Sequence, residues 1–275
     1  MIMERFGARL TEAIAARGSL CAGVDPHPGL LRAWGLPEDA SGLERFALTA
    51  TEAIAEHVAI IKPQSAFFEA CGSKGIAVLE RVAELARAAG TLVLLDVKRG
   101  DIGSTMAAYT AAYLTDGAPL AADAITVSPY LGFGSLDAAL TAAETSGRGV
   151  FVLARTSNPE SAGLQGTVAR SGRTVAQEIV DAVAERNAGT APLGDIGVVA
   201  GATIGRGELD LNRLNGPILA PGFGAQGATA ADLRALFGAG SPAVLAASSR
   251  DILRHGPAPQ ALREAVFRVR DSLRD

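Results

Sequence analysis

The chain has 275 residues, 48% hydrophobic and 20% charged, with a formal net charge of −4 at pH 7. Those proportions are those of an ordinary globular protein and weigh against a disordered chain or a coiled coil. The negative balance gives no basis for binding a phosphate backbone, so nucleic acid is not an expected partner. No window approaches 18 uninterrupted apolar residues, and Met1–Phe6 is polar and amphipathic, without an apolar signal region. Neither a membrane span nor a secretory leader is expected. The two cysteines, Cys21 and Cys71, suit a reduced compartment better than a disulfide framework, and a soluble, cytoplasmic protein is expected.

In chain order, a helical pattern over Phe6–Ala16 precedes eight short apolar runs of strand type. These are Leu20–Val24, Val58–Ile61, Leu92–Val97, Ala124–Val127, Val150–Leu153, Gly197–Ala202, Pro217–Ala220 and Ala243–Ala247. Most are continuously apolar, as strands buried on both faces must be. Between them, Leu43–Ala55, Ile76–Ala89, Thr105–Leu114, Leu136–Glu144, Thr174–Arg186 and Ala230–Phe237 carry apolar residues at helical spacing, and Gln260–Leu273 closes the series. Gly42, Gly90, Gly117, Gly147 and Gly189 are read as left-handed caps at helix ends.

Eight strands alternating with helices imply an α/β fold, either a closed barrel or a doubly wound open sheet. The count favours a (β/α)8 TIM barrel with an extra N-terminal helix, forming one domain over residues 1–275. The polar residues agree. They gather at the ends of the runs, as Asp25-Pro26-His27, Lys62-Pro63-Gln64, Asp96-Val97-Lys98, Ser128-Pro129-Tyr130 and Ser248-Ser249-Arg250, while the strand starts carry no comparable cluster.

Only three residues are lysine, Lys62, Lys74 and Lys98, against 22 arginines. Two of the three fall at strand ends, where a compact ammonium does what a guanidinium cannot. The strand period of two sends Asp96 and Lys98 to the same side. Lys62 ends the neighbouring strand and Asp101 follows in the loop, so a Lys–Asp–Lys–Asp array at the barrel mouth is expected. Opposite charges on either side favour the charged form of each group. Buried ion pairs rarely repay their desolvation as stability devices, so four charges gathered there point to function.

A second constellation points to phosphate. Pro221-Gly222-Phe223-Gly224-Ala225-Gln226-Gly227 follows the seventh run and Ser249-Arg250 the eighth, the two places where this fold recurrently binds phosphate. Gly222, Gly224 and Gly227 would let backbone N–H groups approach the anion, and Arg250 would chelate it through its planar fork. His27, between two prolines, reads as a turn residue, and His57 and His255 read as surface residues. No His/Cys/Asp/Glu group has metal-ligand spacing, so no metal is expected.

The segment Leu95-Asp96-Val97-Lys98-Arg99-Gly100-Asp101-Ile102 resembles the Asp-x-Lys-x-x-Asp-Ile signature of the orotidine 5'-phosphate decarboxylases. Lys62–Glu69, Asp25–Pro28, Ser128–Gly132 and Thr156–Pro159 are similar to the longer bacterial subgroup of that family, and the likeness runs from about the first strand to Arg250. Sugar-phosphate decarboxylases and hexulose-phosphate synthases share the Asp-x-Lys-x-x-Asp core; the combination with Lys-Pro-Gln and Gly-Ala-Gln-Gly is more specific. Ala228 departs from the pattern, standing where a second glycine is common.

The resemblance implies decarboxylation of orotidine 5'-monophosphate to uridine 5'-monophosphate in de novo pyrimidine biosynthesis, without metal or cofactor. It implies Lys62, Asp96, Lys98 and Asp101 as the catalytic tetrad, with Lys98 the proton donor to C6, Asp96 against the substrate carboxylate, and Lys62 and Asp101 holding the ribose and orienting Lys98. It further implies Asp25 on the ribose, Ser157 on the pyrimidine edge, and Gln226 and Arg250 on the phosphate. Asp101 and Thr105 would reach into a partner's site, which implies a homodimer with shared active sites.

Three other readings of the same residues remain at this point. A metal-dependent aldolase or decarboxylase of a sugar phosphate would need a further carboxylate, for which Glu69 is the candidate. A Schiff-base enzyme would use Lys62 or Lys98 as nucleophile, which requires a depressed lysine pKa that flanking carboxylates oppose. A phosphosugar-binding barrel without turnover would not need an alternating charge array.

Overall fold

A computed structural model of the chain describes residues 4–224, 227–238 and 243–273. Eight parallel strands close into a barrel in sequential order. They are β1 (Leu20–Val24), β2 (Ile60–Pro63), β3 (Leu92–Arg99), β4 (Ala124–Val127), β5 (Gly149–Arg155), β6 (Ile196–Ala200), β7 (Ile218–Pro221) and β8 (Val244–Ser248). Around them lie α1 (Phe6–Arg17), α2 (Pro28–Ala33), α3 (Ala40–Ile54), α4 (Ser65–Glu69), α5 (Gly72–Ala88) and α6 (Gly103–Leu114). The ring is completed by α7 (Asp137–Ser146), α8 (Ala162–Gln165), α9 (Val175–Arg186), α10 (Ala230–Phe237), α11 (Arg250–Leu253) and α12 (Pro259–Asp271). The expected (β/α)8 barrel with an added N-terminal helix is the observed fold.

Two apolar shells follow from strand alternation. One parity of residues, including Cys21, Ile60, Leu92, Leu94, Ala124, Phe151, Leu219 and Leu245, fills the barrel interior. The other, including Ala22, Ile61, Val93, Leu95, Ile125, Val150 and Val198, packs beneath the helices. Burial on both faces explains why these strands read as unbroken apolar runs rather than alternating ones.

Several boundaries differ from the expected ones for local reasons. A 3-10 turn over Ala55–His57 delays β2, so Lys62 stands inside the strand rather than beyond it. Gly42 is not a left-handed cap. It lies in the first turn of α3, which Asp39 caps by accepting from the N–H groups of Ser41 and Gly42, and a Cβ there would strike the carbonyl of Pro37. Gly90, Gly117, Gly147 and Gly189 do take positive φ. His57 is half-buried rather than superficial, its ring edge-on to Phe267 at 5.0 Å.

The strand starts also depart from expectation. Thr91, Asp123 and Asp195 each immediately precede a strand, and each is taken by an arginine of the N-terminal segment. Arg17 donates to Thr91 Oγ1 at 2.7 Å, Arg9 to Asp123 Oδ1 at 2.5 Å and Arg5 to Asp195 Oδ2 at 2.8 Å. Phe6 then stacks edge-on against Phe151 inside the barrel, their centroids 6.1 Å apart. Gly149 makes room for that ring, since a Cβ at this position would collide with it. Helix α1 therefore stoppers the barrel at the end opposite the polar strand ends.

Candidate active site

At the C-terminal ends of the strands a cavity of about 550 Å³ opens, within the range of small-molecule sites. Its floor is apolar, with Leu153, Val199 and Leu219, and its charged wall comes from Asp25 just beyond β1, Lys62 on β2, and Asp96 and Lys98 on β3.

Asp96 is the centre of that wall. It is buried, and its carboxylate accepts four hydrogen bonds, from Lys62 Nζ at 3.0 Å and Gln64 Nε2 at 3.0 Å on Oδ2, and from Lys98 Nζ at 2.5 Å and Thr126 Oγ1 at 2.8 Å on Oδ1. Burial by itself would raise the carboxyl pKa, but Lys62 and Lys98 outweigh it and hold the group well below the usual carboxylate range. Burial likewise disfavours the Lys62 ammonium, yet Asp25 and Asp96 more than offset this and raise its pKa above that of an ordinary lysine. The site thus holds fixed, alternating charges inside a low-dielectric wall, where they act most strongly.

The backbone departs from regular strand geometry at the same point. The β3–β4 register runs Leu95↔Ile125 and then jumps to Arg99↔Val127, a bulge centred on Val97 and Lys98. Lys98 takes a φ of 45°, a conformation that costs a non-glycine residue about 1–3 kcal/mol and that gathers at functional sites. The pairing of Asp96 with Lys98, expected from simple alternation, is achieved instead through this bulge. Lys98 keeps 45% of its side chain exposed toward the cavity, against 8% for Asp96.

The remaining expected residues divide. Asp25, Ser157, Gly222 and Arg250 line the cavity with Lys62, Asp96 and Lys98. Asp25 Oδ1 is buried with no hydrogen-bond partner among the described residues. Asp101 and Thr105 do not line it. Asp101 Oδ1 accepts the N–H of Ile102 at 2.8 Å, and Thr105 is exposed in the first turn of α6. Within one chain the charge sequence around the wall is therefore Asp25, Lys62, Asp96, Lys98, with Asp25 rather than Asp101 as the second carboxylate acting on Lys62.

Gln226 lies outside the described residues. Gly222, Gly224 and Gly227 all take positive φ, as the tight loop requires. The amides of Gly224 and Gly227 are spent within the loop, on Ala228 O at 2.9 Å and Gly224 O at 2.7 Å, and do not line the cavity. Of the three glycines only Gly222 faces it.

Neighbouring groups have structural employment. Glu69 accepts from Ser65 Oγ at 2.6 Å and Arg99 at 2.6 Å and stands apart from the cavity. His27 caps α2, its Nδ1 accepting from Gly29 N at 3.0 Å, and its ring also borders the cavity beside Phe67. Burial pushes the Cys21 thiol up to about 12, so it sits beneath the site as a neutral, apolar group.

One contributor was not singled out from sequence, and the tie made by a second, the strand-end Arg155, was not foreseen. Thr126 is the polar residue in an otherwise apolar strand and shares the inward parity of Ala124, a signal that pattern alone carried. Arg155 ends β5 and donates to Glu208 Oε2 at 2.7 Å and to Thr156 O at 2.8 Å. It fastens the loop bearing Ser157 to the segment after β6, a pairing 53 residues apart that no local pattern announces.

Residues 18–265 match the family Orotidine 5'-phosphate decarboxylase / HUMPS. The chain belongs to this family. Among its relatives, an orotidine 5'-phosphate decarboxylase of Salinispora arenicola is 60% identical over 267 residues, covering 97% of this chain and 96% of that one. That of Streptomyces coelicolor is 55% identical over 273 residues, covering 99% and 98%. The crystal structure of a Streptomyces avermitilis protein assigned to the same decarboxylases superposes with a TM-score of 0.97 at 55% identity, covering 100% of this chain and 96% of that one. Membership of this family accounts for the barrel.

Proposed function

We propose that this carboxy-lyase converts orotidine 5'-monophosphate to uridine 5'-monophosphate and CO₂ in de novo pyrimidine biosynthesis, using neither metal nor cofactor. The observation that carries this reading is the buried Asp96 carboxylate held between the Lys62 and Lys98 ammoniums at the cavity wall, in a chain 55–60% identical to proteins named for that reaction.

Breaking the bond from C6 to the carboxyl carbon leaves an electron pair in the ring plane, where the pyrimidine carbonyls cannot delocalise it. A cation placed beforehand at that position stabilises the developing charge without reorganisation. Lys98 is that cation: its exposed ammonium faces the cavity, and one of its protons passes to C6 as CO₂ leaves. The neutral amine then regains a proton from solvent. Asp96 sits against the substrate carboxylate and favours its departure. Lys62 and Asp25 hold the ribose, and Ser157 meets the pyrimidine edge. Arg250 and Gln226, with Gly222 just beyond β7, hold the phosphate, whose binding energy orders the site.

Asp101 and Thr105 act, on this reading, in the site of a second copy. Support comes from their surroundings. The loops after β3 and β4 leave side by side, where Ser128 N donates to Arg99 O at the end of β3 at 2.8 Å. They expose Ile102, Tyr130 and Leu131 at 62%, 77% and 52%, an apolar surface of the kind that protein interfaces cover. A homodimer of one-domain chains, working in the cytoplasm with both cysteines free, completes the proposal. No helix among the described residues is long and apolar enough to cross a membrane.

The deciding assay follows loss of orotidine 5'-monophosphate absorbance with EDTA present. Full turnover is expected; turnover abolished by EDTA and restored by a divalent ion would favour a metal-dependent sugar-phosphate enzyme.

A further inference from the structure

Thr126 stands where the two ends of the Asp96–Lys98 pair meet. It is fully buried on β4 and faces the cavity. Its Oγ1 lies 2.8 Å from Asp96 Oδ1 and 3.0 Å from the backbone nitrogen of Lys98. The Lys98 N–H can only donate, so Oγ1 accepts there; its single proton is then free for the carboxylate, which can only accept. The direction of this relay is fixed, from Lys98 N–H to the Thr126 hydroxyl to Asp96.

Both bonds fall at the bulge. Between Leu95↔Ile125 and Arg99↔Val127 the ladder offers Lys98 no register partner on β4, and a buried amide without an acceptor is disfavoured. The hydroxyl supplies that acceptor from the side chain. It thereby stabilises the left-handed backbone of Lys98, φ 45°, and fixes the rotation of the Asp96 carboxylate that Lys98 Nζ also contacts at 2.5 Å. Gln64 is the other neutral donor on Asp96, but it reaches Oδ2 rather than the Oδ1 that Lys98 and Thr126 share.

We infer that Thr126 is a positioning residue for the proposed decarboxylation, its hydroxyl aligning the Lys98 ammonium with Asp96 across the β3 bulge. The inference rests on the reading of the reaction given above and is tested by two independent readouts.

The first is steady-state kinetics of Thr126→Val, Thr126→Ala and Thr126→Ser beside the wild type. Removing the hydroxyl in the Val and Ala variants is expected to lower kcat tenfold or more with KM within threefold, while Thr126→Ser stays within threefold of wild type in both. If the Val variant does not fold, the Ser and Ala variants, which both lack the γ-methyl and differ only in the hydroxyl, carry the comparison. Wild-type kcat without the hydroxyl, or a Ser variant as slow as the Ala variant, overturns the inference. The second readout is the crystal structure of the Ala or Val variant. Lys98 is expected to leave the positive-φ region, and its ammonium to move off Asp96 Oδ1. Unchanged Lys98 geometry overturns the inference whether or not the chain acts on orotidine 5'-monophosphate. A wild type inactive on that substrate counts against the reaction alone.

Discussion

Lys98 and Asp96 are two residues apart on one strand and meet at 2.5 Å, yet one is nearly sealed and the other is open to the cavity. That asymmetry suits opposite tasks: the carboxylate is locked by four donors, while the ammonium retains freedom to surrender a proton. Lys98→Ala is expected to lower kcat by about 10³-fold or more, the scale of a lost transition-state cation. KM should change far less, because the proposed phosphate contacts survive. Single-turnover measurement of uridine 5'-monophosphate formation checks this, and a variant with wild-type kcat would remove Lys98 from the reaction.

Lys62 and Asp96 form the buried half of the array at 3.0 Å. Lys62→Met should cost about 3 kcal/mol at pH 7, since it leaves a buried carboxylate short of a counter-charge. The pH dependence has a definite sign. Asp96 is depressed in the fold, so its contribution is full above the unfolded carboxylate value and fades as pH falls through the folded one. Lys62 is raised, so its contribution is full below the unfolded lysine value and fades only as pH rises through the folded one. The stability gap between wild type and variant should therefore narrow as urea melts move from pH 7 toward pH 2. A gap that widens on acidification would contradict the assignment.

The barrel was legible because strands buried on both faces have little choice but to be almost continuously apolar, as Leu20–Val24 is. The charged wall was legible because charge at a strand end is conspicuous when lysine is scarce. What escaped was non-local or irregular. The bulge at Lys98 arises from a mismatch between two strands that neither strand's sequence displays. The polar residues at the strand starts, Thr91, Asp123 and Asp195, look ordinary until α1 brings arginines to them. Helices α2, α4 and α11, of six, five and four residues, are too short for a helical period to register.

Arg250 opens α11 at the rim of the cavity, with Asp251 beside it drawn to Arg254 at 3.4 Å. Arg250→Ala is expected to raise KM by about 10- to 100-fold, the range for charge-assisted hydrogen bonds to an anion. With orotidine, which lacks the phosphate, the same substitution should have little effect. Comparing kcat/KM for the two substrates tests this; an equal loss on both would remove Arg250 from the phosphate site.

If Asp101 completes the site of a second copy, inactive Lys98→Ala and Asp101→Ala subunits should rescue one another. In a mixed two-fold dimer, one site takes Lys98 from one chain and Asp101 from the other, and is intact. The second site carries both lesions. Random exchange gives mixed dimers in about half the population, so roughly one quarter of wild-type activity is expected. Subunits mixed after partial unfolding and refolding, then assayed, provide the measurement. No rescue despite confirmed exchange would place Asp101 in its own chain's site, which its absence from the cavity lining opposes.

Asp195 offers the opposite case, a buried carboxylate far from the chemistry. Its side chain is wholly buried and accepts from Gly7 N at 2.9 Å and Arg5 Nε at 2.8 Å. It fixes the first turn of α1 and with it Phe6 in the barrel. Asp195→Ala leaves the Gly7 amide without its acceptor and frees Arg5, for an expected loss of about 2–4 kcal/mol. Because the stopper and the charged wall occupy opposite ends of the barrel, kcat per folded molecule at low temperature should stay within about twofold. Thermal melts paired with active-site titration separate the two effects. A fall in kcat matching that of Lys98→Ala, with the fold intact, would show that the floor of the barrel transmits strain to the charged wall, contrary to the independent roles assigned to its two ends.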